Sequence, residues 1–85
     1  MIAFDDINPQ APVHILLLPK KHIVSILELD DRTLAGELLL AVKEIAKGAG
    51  LKSFRLVANT GELAGQTVAH LHFHILGGGK LGHIA

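Results

Sequence analysis

The sequence predicts an α+β fold, an antiparallel sheet with one main helix packed on it. Three observations predict it. The apolar run Val13-His14-Ile15-Leu16-Leu17-Leu18 stops at Pro19. From Leu34 to Ala49, apolar residues recur every three or four positions. The segments Phe54–Asn59 and Val68–Leu76 alternate and are joined by a glycine-containing loop. Short apolar or alternating runs bounded by turn residues read as strands, and a 3.6-residue period reads as a helix. The order is therefore strand, strand, helix, strand, strand, which an antiparallel sheet with a helix on one face accommodates. At 85 residues the chain is long enough for one domain, 1–85.

The first strand is Met1–Phe4, closed by Asp5-Asp6 and the turn-forming Asn8-Pro9 pair. Ala11-Pro12 leads into the second, Val13–Leu18. Pro19 cannot continue its hydrogen-bond ladder, and Lys20-Lys21-His22 reads as exposed loop. The helix follows, with Asp30 or Asp31 available to cap its first-turn N–H groups and Thr33 a weaker cap. Leu34, Leu38, Val42, Ile45 and Ala49 share one face, which Ala35, Leu39 and Ala46 widen. Lys43 and Lys47 complement the negative end of the helix dipole, and Gly48 and Gly50 supply the stop. The two remaining strands and the Thr60–Gln66 loop form a wide hairpin, closed by Gly77-Gly78-Gly79.

Composition excludes several classes of function. Eight basic residues balance eight acidic ones, leaving no net charge to hold a nucleic acid or an anionic membrane. The chain is 49% hydrophobic and 19% charged, which rules out intrinsic disorder. So much apolar surface on so small a chain points to a second subunit. With no cysteine there is no disulfide, thiolate zinc site or cysteine nucleophile. The longest apolar runs are too short to span a bilayer. The acidic start, Met1-Ile2-Ala3-Phe4-Asp5-Asp6, is not a secretory signal. A cytoplasmic location is expected.

The chemistry concentrates in His70-Leu71-His72-Phe73-His74-Ile75-Leu76. On a strand, His70, His72 and His74 share one face, and Leu71, Phe73 and Ile75 share the core face. Two uses are open to three aligned imidazoles. Adjacent histidines, ~7 Å apart, can converge on a metal, with His14, Asp5 or Asp6 as a further ligand. The outer pair lies ~13 Å apart, too far for all three to meet one ion on a straight strand. The other use is nucleophilic catalysis, because imidazole can be nucleophile, acid or base near neutral pH. Asn59, Gly61, Gly65, Gln66 and Thr67 precede the cluster and offer side-chain and backbone donors for phosphate oxygens. The glycine-Lys-Ser/Thr pattern of a nucleotide P-loop is absent.

These segments resemble a known family. The alternating histidines match the histidine-triad (HIT) signature. Asp6-Ile7-Asn8-Pro9-Gln10-Ala11-Pro12-Val13-His14, Pro19-Lys20-Lys21-His22-Ile23, Asn59-Thr60-Gly61, Gly65-Gln66-Thr67 and Leu76-Gly77-Gly78 resemble its histidine triad nucleotide-binding (Hint) branch. The resemblance implies hydrolysis of purine nucleoside phosphoramidates, AMP joined to an amine, without a metal or other cofactor. His72 would attack the α-phosphorus and form a nucleotidyl-histidine, with the His70 carbonyl holding its other ring nitrogen. His74, Thr67 and backbone N–H groups would hold the phosphate, and His70 and His14 would support the set. His70 or Thr67 would aid the leaving group. Asn59, Gly65 and Gln66 complete the phosphate side; Asp6 would grip the ribose and Ile7 would wall the base.

The resemblance also implies a homodimer, with the Leu38 region and Phe54–Ala58 at the interface. Two departures stand out. The family's usual preceding helix and strand are missing, so the domain is expected to be N-terminally shortened. Lys80-Leu81-Gly82-His83-Ile84-Ala85 replaces the usual Trp-Pro-Pro ending, and His83 is expected to be a tail residue without a role. The alternatives are a dinucleoside polyphosphate hydrolase and a non-catalytic nucleotide-binding or scaffold protein.

Overall fold

In the computed structural model, which describes residues 1–82, four strands form one antiparallel sheet. β1 is Ile2–Asp5, β2 Val13–Leu18, β3 Phe54–Val57 and β4 Phe73–Gly77; the order across the sheet is β1-β2-β4-β3. The helix α1, Arg32–Gly48, joins the two halves. Asp31, rather than Asp30, is its cap, accepting the Leu34 N–H at 3.0 Å. Gly48 stays inside the helix. The stop comes at Gly50, where Gly50 and Leu51 return N–H bonds to Lys47 and Ala46.

Pairing registers decide the two faces of the sheet. Leu17 lies opposite Phe73, and Ile15 opposite Ile75. Leu17, Phe73 and Ile75 form the core with Ile23, Leu38, Val42 and Leu71, and Ile15 packs against it. The other face carries His14, Leu16 and Leu18 from β2 beside His72 and His74. Phe4 of β1 lies opposite Leu16, which lies opposite His74, which lies opposite Val57. The helix covers the first face and leaves the histidine face open. Sequence alternation had separated the faces correctly.

Three expectations are corrected. The last strand begins at Phe73, not Val68, because its partner β2 ends at Pro19 and no ladder remains for residues 68–72. The third strand ends at Val57 rather than Asn59. On α1, Leu38, Val42 and Ala46 are buried, but Leu39 is 58% exposed and Ala49 is also exposed, so the core stripe is narrower than the periodicity allowed. Two 3₁₀ turns, Ile26–Glu28 and Glu62–Ala64, punctuate the long connections. His83 lies outside the described residues.

Candidate functional site

The open face holds four imidazoles whose hydrogen bonds determine where their protons sit. His72 Nδ1 is 2.7 Å from the His70 carbonyl oxygen. A carbonyl only accepts, so Nδ1 carries the proton and donates it. Nε2 of a neutral His72 is then a bare lone pair. His70 Nε2 likewise donates to the Pro19 carbonyl at 2.9 Å.

His14, buried on β2, is held the opposite way. Its Nδ1 accepts the Gln10 backbone N–H at 3.0 Å, so its proton sits on Nε2. That nitrogen lies 2.9 Å from His74 Nδ1 and donates to it. His74 Nδ1 therefore accepts, and a neutral His74 carries its proton on Nε2. His72 and His74 thus present opposite ends of the same chemistry, a lone pair and an N–H, from rings 5.1 Å apart. Burial first, then the neighbouring His72 and His14, hold the pKa of His74 below the ordinary imidazole value, with Asp6 opposing.

The turn between β1 and β2 builds this arrangement. Asp6 Oδ1 accepts the Asn8 N–H at 2.8 Å, which shapes the turn ahead of Pro9 and brings the Gln10 N–H to His14. Asp6 Oδ2 lies 3.5 Å from His14 Nε2. Beside the histidines, Phe4, Leu16, Leu18 and Val68 join His70 and His72 around a hollow of about 170 Å³. Ligand pockets commonly span ~300–1,000 Å³, so this one suits a single ring system rather than a whole nucleotide.

A profile of the HIT domain matches residues 1–81. The chain belongs to the HIT family. A HIT-like protein of Synechocystis, itself uncharacterised, is 55% identical over 80 residues, covering 91% of this chain and 70% of that protein. A HIT family hydrolase from Legionella pneumophila superposes with a TM-score of 0.90 at 43% identity, covering 94% of this chain and 75% of that one. A histidine triad nucleotide-binding protein from Candida albicans reaches 0.78 at 29% identity, covering 98% and 69%. The fold is thus shared closely with HIT family hydrolases.

Among the predicted residues, the structure brings together His14, His70, His72, His74 and Asp6. Asn59 is half-buried and packs on Gly65, where a Cβ would lie 3.7 Å from its Nδ2. Gly65 itself has φ +97°, a left-handed conformation that favours glycine. The Gly65 N–H is committed to the Glu62 carbonyl, and the Gln66 N–H to that of Gly61. These two residues shape the loop from within. Thr67 is exposed beside them, and Ile7, 92% exposed, does not line the hollow. Sequence reasoning missed Phe4, Leu16, Leu18 and Val68 as site residues. It also gave no role to His22, whose ring meets that of His70 edge-on at 5.2 Å.

The same bonds bear on metal binding. Among the described residues, Asp6, His14 and His74 form a trio of ligand atoms within 4.8 Å of one another. A metal on His14 Nε2 would require the proton on Nδ1, yet Nδ1 faces the Gln10 N–H. Metal-bound histidines donate their second nitrogen to an acceptor, and here a donor stands in that place. His70 and His72 belong to no such trio. The donor set does not fit a resident metal.

Proposed function

We propose that the protein hydrolyses purine nucleoside phosphoramidates through a nucleotidyl-histidine formed on His72. The observation that carries this reading is the 2.7 Å bond from His72 Nδ1–H to the His70 carbonyl, which leaves Nε2 free to attack. In the first step the Nε2 lone pair forms a bond to the α-phosphorus. The P–N bond to the amine breaks, and the amine departs with a proton from solvent. In the second step water attacks the phosphorus, the P–Nε2 bond breaks, and AMP and the water's surplus proton leave. Two displacements at one nucleophile replace a single harder one.

In this reading His74 Nε2–H and Thr67 hold the phosphate oxygens, and Asp6 takes the ribose hydroxyls at the end of the site marked by His14. Phe4, Leu16 and Val68 offer the apolar surface that a purine would cover. Asn59 faces the leaving-group side. No cofactor takes part. The reading keeps the cytoplasmic location expected from the sequence, where purine nucleotides are abundant.

We also propose that the protein is a homodimer. Leu39 and Leu40 of α1 and Phe54 and Leu56 of β3 are exposed, and β3 lies at a sheet edge. Leu38 itself belongs to the core, so the helix contribution comes from its neighbours. A two-fold axis beside β3 would cover this surface with its own copy.

The test is AMP release from a fluorogenic adenosine-amine phosphoramidate by the parent protein and by His72→Ala. Steady turnover that disappears in a folded His72→Ala protein supports the proposal. Equal rates in the two, or no release by the folded parent, would overturn it.

A further inference from the structure

The Gln66 side chain is spent before any ligand arrives. Its Oε1 accepts the Gly61 N–H at 2.9 Å, and its Nε2 donates to the Val24 carbonyl at 2.6 Å and the Val68 carbonyl at 3.0 Å. An amide has two N–H donors, and both are used. The orientation is determined by these partners, since a flipped amide would face a donor with its N–H groups and two carbonyls with its oxygen. The Gln66 backbone N–H is also taken, by the Gly61 carbonyl at 3.1 Å. No N–H of this residue remains for a phosphate.

The Val24 bond joins parts of the chain 42 positions apart. Val24 belongs to a strap, residues 19–25, that also accepts His70 Nε2 at Pro19 and the Leu71 N–H at Ile23. The same strap therefore holds the first histidine of the triad and the loop that precedes it. Thr67 lies between two residues fixed by the lock, and Val68 forms a wall of the apolar hollow beside His70 and His72.

We propose that Gln66 is a positioning residue whose carboxamide locks the 61–68 loop onto the 19–25 strap, setting Thr67 and Val68 for the nucleotide without touching it. The lock stands on hydrogen bonds alone, and its consequence for nucleotide binding rests on the function proposed above.

The test compares the 85-residue parent with Gln66→Glu by ¹⁵N NMR and AMP titration between about pH 4.5 and 8. In the parent, the Gln66 side-chain NH₂ signals should exchange slowly and stay in place as AMP is added, while the Thr67 and Val68 amides shift. In Gln66→Glu at neutral pH a carboxylate faces two carbonyls. The Gly61, Thr67 and Val68 amides should move without ligand, and AMP affinity should fall about tenfold or more. Protonation of the introduced carboxyl restores one donor, so the affinity ratio of variant to parent should recover severalfold as pH falls. The charged and ionisable groups on or beside the loop and strap are Lys20, Lys21, His22, Glu62 and His70; they are the same in both proteins, so the comparison is made as the ratio at each pH.

Side-chain NH₂ signals that shift with AMP would overturn the proposal in favour of direct contact. An unchanged loop spectrum and affinity in Gln66→Glu would also overturn it. If AMP does not bind the parent, the nucleotide reading falls, and the ligand-free loop spectra still decide the lock. Should Gln66→Glu fail to fold, Gln66→Met, which lacks the donors and the charge, gives the same comparison at neutral pH.

Discussion

Replacing His14 by phenylalanine separates the proton arrangement of the open face from its shape. The substitution keeps a flat ring of similar size on β2 and removes both nitrogens. Two hydrogen bonds disappear, the 2.9 Å bond to His74 and the 3.0 Å bond from Gln10. Gln10 is exposed, so water replaces its lost partner at little cost. His74 loses the donor that keeps Nδ1 unprotonated. One neutral hydrogen bond is worth ~1 kcal/mol, enough for about a fivefold preference between tautomers. In the other tautomer His74 turns a lone pair toward the phosphate and forfeits a charge-assisted bond of ~1.5–3 kcal/mol. Recovering the donating tautomer costs less than forfeiting that bond, so the loss is bounded by the tautomer preference, and kcat/KM should fall about fivefold, well short of the loss in His72→Ala. The assay is phosphoramidate turnover, paired with ¹⁵N chemical shifts of the His74 ring, which distinguish the two tautomers. Parental kcat/KM in a folded His14→Phe protein, or a His74 ring still protonated on Nε2, would refute the reasoning.

Other predictions follow from single observations. The pKa of His74 is lowered from its ordinary value of 6.5, so as pH drops below 6.5 the unfolded chain takes up a proton before the folded one does. That contribution to stability should be intact above pH 6.5 and lost on acidification, until pH has passed the lowered value. Urea denaturation at successive pH values should show this slope, and His74→Gln should flatten it. At Gly77 a Cβ would lie 2.9 Å from Leu51 Cδ2 and 3.0 Å from the Ser53 carbonyl oxygen, and the carbonyl cannot move freely. Gly77→Ala should cost ~1–3 kcal/mol of stability by overpacking, read as a lower denaturation midpoint with an unchanged slope. Leu39→Glu should convert a dimer to a monomer in light scattering without unfolding it; a parent that is already monomeric would sink the dimer proposal.

Legibility in the sequence followed the kind of group that carried each feature. Side-chain alternation is written in residue identity, so Leu71, Phe73 and Ile75 could be assigned to the core and His72 and His74 to the other face. The Asp31 cap was readable as one of two adjacent candidates for the same reason. Backbone groups carry no such label. The Val24, Ile23 and Pro19 carbonyls that hold the loop and strand together are invisible in a sequence, as is the Gln10 N–H that orients His14. The face of β2 that lines the hollow was hidden differently. Leu16 and Leu18 sit in a run that is apolar on both faces, which reads as a wholly buried strand. A single helix covers only one face of this sheet, so the alternate leucines are left to line something else. Helix periodicity marked Leu39 as part of an apolar stripe wider than one sheet can bury, and spacings of three and four do not say which part of such a stripe the sheet covers.

The pairing of tautomers bears on more than the first displacement. His74 could serve as a proton donor to the substrate only if a neighbour restored its proton. Among the described residues, the side chain hydrogen-bonded to His74 Nδ1 is His14, and its second nitrogen faces the Gln10 N–H rather than a proton source. A proton passed from His14 Nε2 to His74 would leave His14 with none on either nitrogen, an anionic ring in a buried position. The chain of bonds is therefore a dead end for protons, although it is continuous for hydrogen bonding. In the proposed reaction it would let His74 polarise a phosphate oxygen through both displacements while retaining its own proton. His72 is the complementary case: the His70 carbonyl holds its Nδ1–H, and in the proposed reaction Nε2 would alternate between lone pair and phosphorus bond. One face thus holds a lone pair and a hydrogen-bond donor distinct from each other, as the proposed cycle requires, although both are the same amino acid two positions apart.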